Sequence, residues 1–127
     1  MIHSGKADIL SHEDVKSIVD SFYKKVRNSP LIGHYFKHVD WEKHLPVMYS
    51  FWSFIVLGEE GYKGNPLSKH LQLEGLKEEH FKEWLTLFLK TIEDNFQGEN
   101  AEAMKNRANQ IALVFQMKLV KSRIREG

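Results

Sequence analysis

The stretch Lys77–Phe96, KEEHFKEWLTLFLKTIEDNF, decides the fold class. Phe81, Trp84, Leu85, Phe88, Ile92 and Phe96 recur at intervals of three and four, the spacing that lines one face of an α-helix. Gly98 stops the pattern. Upstream, Ser11 is placed to cap a helix with Glu13 and Asp14 in its first turn and Val15, Ile18, Val19, Phe22 and Val26 as its apolar stripe. Asn28-Ser29-Pro30 ends that helix, and a short apolar turn, Leu31 to Phe36, follows. Asp40 reads as the next cap, with Leu45, Met48, Phe51, Trp52 and Ile55 on a helix reaching Leu57. Pro46 lacks an N–H, so the expectation is a tight turn over 41–45 and a regular helix from Pro46.

Gly58 to Gly64 forms a glycine-rich loop, and Asn65-Pro66 opens a short helix that Gly75 closes. Downstream, Met104, Ala108, Ile111, Ala112, Phe115 and Leu119 mark a last helix from about Glu99 to Lys121. No segment alternates with a period of two. The expected fold class is all-α, in one domain over residues 1–127, with about 1–10 and 120–127 as loose termini.

Composition narrows the function classes. The 127 residues carry a formal charge of +1, which gives no field that argues for nucleic acid or an anionic membrane. Lys118, Lys121, Arg123 and Arg125 read as cations favoured at a helix C-terminus. The absence of cysteine excludes disulfides, thiolate metal sites, cysteine nucleophiles and covalent haem attachment. The first ten residues hold no apolar leader, and Phe51–Leu57 is far too short to span a bilayer, so the expected compartment is the cytoplasm.

The histidines discriminate a plain helical bundle from a binding protein. His3, His12, His34 and His38 fall near termini or loops and are expected in solvent. His34 and His38 stand four apart, but no glutamate sits between them, so the zinc-protease pattern is absent. His44 lies about 30° from the centre of the stripe carrying Met48 and Trp52, where a bundle would place hydrocarbon. His80 lies about 110° off its own stripe and is expected at a wet edge. His70 sits in Pro66-Leu67-Ser68-Lys69-His70-Leu71-Gln72-Leu73, a short helix behind flexible hinges that suits an axial ligand. By its angle alone, about 80° off the stripe, Tyr23 reads as half-buried with a wet hydroxyl, and Trp84 reads as core.

These residues, in order, match a known pattern. Asp20-Ser21-Phe22-Tyr23-Lys24-Lys25-Val26-Arg27, His44 with Phe51-Trp52, Tyr62-Lys63-Gly64-Asn65-Pro66 with Lys69-His70-Leu71, and His80-Phe81-Lys82-Glu83-Trp84-Leu85 resemble the truncated haemoglobins, group III. The resemblance runs from about Asp8 to about Lys118. It implies a two-on-two helical sandwich around a non-covalent haem b. It makes His70 the proximal iron ligand and Tyr23, His44 and Trp84 the polar distal residues. Phe36 packs on the haem edge in that pattern. Met48, Phe51, Trp52, Tyr62, Leu71, Phe81, Ile111 and Phe115 are the expected pocket lining. Pro46 departs from the pattern and bears on whether His44 reaches a ligand.

With iron held by an imidazole on one side, the other side is open to dioxygen, carbon monoxide or nitric oxide. Tyr23 O–H and Trp84 N–H are donors suited to the negative charge that dioxygen gains on binding. The expectation is tight, slow-releasing oxygen binding that serves scavenging, or nitric-oxide or peroxide chemistry, rather than bulk oxygen transport. The sequence leaves open whether that makes the chain an enzyme or a carrier, which reductase serves it, and its oligomeric state. Two other classes stay open: a haem-based gas sensor acting through a partner protein, and a haem-free helical interaction module.

Overall fold

The computed structural model describes residues 6–37, 39–59 and 77–126, with side chains through residue 117. Within them lie four α-helices and one 3-10 turn: α1 (His12–Arg27), the turn (Gly33–Phe36), α2 (Trp41–Leu57), α3 (Glu78–Asn95) and α4 (Glu99–Glu126). Among the described residues there is no β-strand. A single backbone bridge joins Ala7 to Phe96.

Helix α1 begins where its capping residues dictate. Ser11 Oγ accepts from the Asp14 N–H at 3.2 Å, and the Asp14 carboxylate accepts in return from the N–H groups of Ser11 and Leu10. This reciprocal box satisfies donors that a helix start leaves open. All five expected stripe residues of α1 are buried, and Tyr23 joins them. Helix α1 packs on both α2 and α3, while α4 packs on α3 and α2. Those four contacts produce the two-on-two sandwich. They also correct the reading of Tyr23: a helix covered on two flanks buries a wider arc than one stripe, and Tyr23 is only 2% exposed.

Helix α2 differs from expectation at its start. It runs unbroken from Trp41, with Pro46 inside it, rather than from Pro46 after an irregular turn. The Asp40 carbonyl accepts from both Lys43 and His44, so the first turn closes ahead of the proline. Pro46 forfeits one bond, to the Glu42 carbonyl, and both residues are exposed, where solvent can satisfy it. At the other end Gly58, at φ 71°, takes the left-handed cap conformation that glycine adopts without cost.

The N-terminal stretch is not loose throughout. Ile9 is fully buried. Asp8 accepts from the N–H groups of Asn100 and Ala101 at 2.9 Å each, which gives α4 the cap its own residue 98 lacks. Gly98 is required there: its φ is 144°, and a Cβ would fall 2.4 Å from Asp8 Cγ. Partial burial pushes the Asp8 pKa up, but three backbone N–H bonds, from Asn100, Ala101 and Ile9, outweigh it and leave the carboxyl below its ordinary value. A depressed carboxylate pKa stabilises the fold above about pH 4 and loses that contribution as pH falls through the folded value. Asp8→Ala is therefore expected to cost about 1–2 kcal/mol near neutral pH. In urea denaturation the gap from wild type should narrow at low pH.

Helix α4 continues to Glu126, five residues past the expected Lys121. Met104, Ala108, Ala112 and Phe115 are buried on its inner face, and Ile111 packs against the same core. Two polar ties join α1 and the turn just after it to α3. Lys25 Nζ donates to Thr91 Oγ1 at 3.0 Å, and Ser29 Oγ donates to Glu83 at 2.8 Å.

Candidate functional site

The centre of the described site is one polar contact inside an aromatic box. Tyr23 projects from the fourth turn of α1, and His44 projects from the first turn of α2. The Tyr23 hydroxyl lies 3.1 Å from His44 Nε2, in hydrogen-bond contact. The Tyr23 ring centroid stands 5.0 Å from Phe22, 5.0 Å from Trp41, 5.3 Å from His44 and 6.2 Å from Phe36. Burial pushes the Tyr23 phenol well above its usual pKa, so it stays a protonated O–H across the neutral range. Only one of the two can donate across that contact. If His44 carries its proton on Nε2, it donates to the Tyr23 oxygen, and the phenol O–H is left to reach a ligand.

The proline in α2 does not keep His44 from Tyr23. Because the helix is continuous, His44 lies one turn before Met48 on the buried side, and it meets Tyr23. Trp84, on α3, sits one ring further along. It is half-buried, meets Phe22 edge-on at 5.8 Å and stacks on Phe88 at 5.5 Å. Of the expected lining, Phe36, Met48, Trp52, Phe81 and Phe115 are buried, and Phe51 and Ile111 pack half-buried on the same core. Phe81 meets Phe115 at 5.8 Å, which joins α3 to α4. His70, Tyr62 and Leu71 lie outside the described residues.

Several residues depart from the sequence reading. His80 is buried rather than wet, at 9% exposure. As the third residue of α3 it reaches back, and its Nδ1 accepts from the Lys77 N–H at 2.8 Å. It thereby fills the carboxylate's place in a capping box. His12 is not simply solvated: its Nδ1 meets Ser53 Oγ at 2.9 Å and Glu59 at 3.2 Å. His34 is exposed, as expected, and the described residues contain no cluster of three or more His, Asp or Glu able to hold a metal ion. His3 and His38 lie outside the described residues.

Sequence reasoning missed Trp41 and Arg27. Trp41 stacks on Phe36 with centroids 6.2 Å apart and meets His44 at 5.6 Å, while the Arg27 guanidinium lies over its ring at 4.8 Å. A signal was present. Trp41 is three residues before His44, so any helix reaching back to Asp40 puts both on one face.

The donor set fits a haem pocket. A core built only for packing would carry Phe at 23 and an aliphatic residue at 44, since burying a hydroxyl and half-burying an imidazole cost free energy. Here both are retained and paired, ringed by aromatic walls of the kind that cover a flat apolar macrocycle.

Comparison with known proteins agrees with this geometry. A family model of bacterial-like globins matches residues 8–117. The group 3 truncated hemoglobin ctb of Campylobacter jejuni is 32% identical over 122 residues, covering 91% of this chain and 96% of that protein. The crystal structure of the group III truncated hemoglobin from Campylobacter jejuni superposes with a TM-score of 0.79, covering 90% of this chain and 94% of that one. With an all-α two-on-two fold, this chain belongs to the group III truncated haemoglobins, a branch of the bacterial-like globins.

Proposed function

We propose that this globin holds a non-covalent haem b through His70 and retains a small gas ligand beside Tyr23, His44 and Trp84. The observation that carries the reading is the contact between the buried Tyr23 hydroxyl and the half-buried His44 imidazole within its aromatic box. The chain has no cysteine for thioether attachment, so the haem is held by ligation and packing alone. His70 would hold the haem, and the group would supply an iron able to bind dioxygen, nitric oxide or carbon monoxide.

The chain's own residues do the rest. Tyr23 donates its O–H to the ligand, and His44 orients that hydroxyl. In this reading the Trp84 indole N–H is the second donor. Phe36, Met48, Phe51, Trp52, Phe81, Ile111 and Phe115 exclude water around the group, with Tyr62 and Leu71 completing the lining. Two donors to a charged ligand favour retention over quick release. The role that fits is scavenging, or the conversion of nitric oxide or peroxide, rather than bulk oxygen transport. A reductase that keeps the iron ferrous is the expected partner, and the cytoplasm the expected compartment. Among the described residues, no helix is long and apolar enough to cross a membrane.

The deciding experiment is absorption spectroscopy of the protein supplied with haem: ferric, then reduced, then under carbon monoxide. Wild type is expected to show a Soret band that shifts with carbon monoxide, and His70→Ala to disrupt it. No Soret band in wild type under any condition would overturn the reading in favour of a haem-free helical module.

A further inference from the structure

We propose that Trp41, steadied by Arg27, is the specificity-determining plug of the distal pocket, setting how fast and how large a ligand reaches the Tyr23–His44 pair. This rests on the reading of that pair as a gas-binding site. Three residues form a graded path from water inward: Arg27 is exposed, Trp41 is half-buried and Tyr23 is buried. Trp41 meets both members of the polar pair, with ring centroids 5.0 Å from Tyr23 and 5.6 Å from His44. Its other supports are Phe36, stacked on it at 6.2 Å, and the Arg27 guanidinium, 4.8 Å from the ring centroid; Arg27 Nε also donates to the Tyr23 carbonyl at 3.4 Å. One side chain thus joins the backbone that carries Tyr23 to the ring that covers it.

The plug is built to move. Trp41 is the first residue of α2, and its N-cap, Asp40, provides no side-chain bond to the helix start. A cation over an indole at an exposed site is a weak contact that can open and reclose on its own. Such a plug acts on the passage barrier and not on the bound ligand. Removing it must therefore speed admission and release by the same factor and leave affinity unchanged. Losing a donor such as Tyr23 would instead speed release alone. A steric plug also discriminates by size, so a bulky ligand gains more from its removal than carbon monoxide does.

The test uses haem-loaded wild type, Trp41→Ala, Trp41→Phe and Arg27→Gln, with association and dissociation of carbon monoxide and n-butyl isocyanide followed by flash photolysis and ligand replacement. Trp41→Ala is expected to speed carbon monoxide about tenfold in both directions, with affinity held within about twofold, and to speed the isocyanide more. Trp41→Phe should fall between Trp41→Ala and wild type, and Arg27→Gln should give about threefold. Unchanged rates, or a change confined to release, would overturn the proposal.

A second readout needs no haem. Carbethoxylation of His44 by diethylpyrocarbonate, located by mass spectrometry, is expected to run several-fold faster in Trp41→Ala and measurably faster in Arg27→Gln. Equal labelling in all variants would show that Trp41 does not cover the pocket. If wild type takes up no haem, the gas-binding reading falls, and the labelling still decides whether Trp41 is a cover. If circular dichroism shows that Trp41→Ala has lost its helices, Trp41→Phe and Arg27→Gln carry both arms.

Discussion

Replacing Tyr23 by Phe is expected to speed dioxygen release by about 10- to 150-fold, the equivalent of one hydrogen bond to a charged partner at roughly 1.5–3 kcal/mol. The substitution removes a single oxygen from a ring that is 2% exposed, so the walls made by Phe22, Phe36 and Trp41 are left in place. Association should change little, because the O–H acts on the bound ligand. Carbon monoxide develops less charge on binding, so its release should accelerate only a few-fold. Because burial holds the phenol protonated far into the alkaline range, wild-type release should show no step from phenol ionisation between about pH 7 and 10. Stopped-flow release of dioxygen from the ferrous protein, beside carbon monoxide, measures all of this. Equal dioxygen release rates in wild type and Tyr23→Phe would remove Tyr23 from the ligand's surroundings.

That prediction rests on a residue the helical period misplaced, and the reason is general. Periodicity reports the centre of a helix's buried face and not its width, which depends on how many neighbours cover the helix. The stripe of α1 was legible because Val15, Ile18, Val19, Phe22 and Val26 all face the core. Tyr23, to one side, was decided by α2 and α3 packing together on α1. Proline rules mark a missing bond at Pro46 without saying whether solvent will replace it, and here Glu42 and Pro46 are both exposed residues, where water can replace the bond and the helix runs unbroken. His80 and Asp8 were illegible for another reason. One borrows the glutamate's place in a capping box, and the other caps α4 from more than ninety residues away. The periodicity singled out His44 on its apolar stripe, but only the ordered resemblance to a known family set Tyr23 and Trp84 beside it. No spacing rule would have brought Tyr23 and His44 together from 21 positions apart.

Trp52→Ala is expected to cost about 3–5 kcal/mol of stability, the range for truncating a large buried aromatic whose site cannot fully collapse. Trp52 is 1% exposed, stacks on Phe88 with centroids 4.8 Å apart and meets Phe51 edge-on at 5.2 Å. Phe88 in turn packs against Phe22 at 4.9 Å and Trp84 at 5.5 Å, so one ring system joins α1, α2 and α3. Removing Trp52 opens a cavity at that junction, and the neighbouring rings are too stiff and too mutually packed to fill it. Trp52→Phe keeps an aromatic surface against Phe88 and should cost roughly 1–2 kcal/mol. In thermal unfolding the alanine variant should melt roughly 10–20 °C below wild type. The ring counted by sequence as pocket lining is, on this packing, first a support of the core. Most of the loss should therefore appear already in the haem-free protein, in urea denaturation followed by circular dichroism. A loss under about 1 kcal/mol there, with a large loss once haem is bound, would assign Trp52 to the cofactor instead.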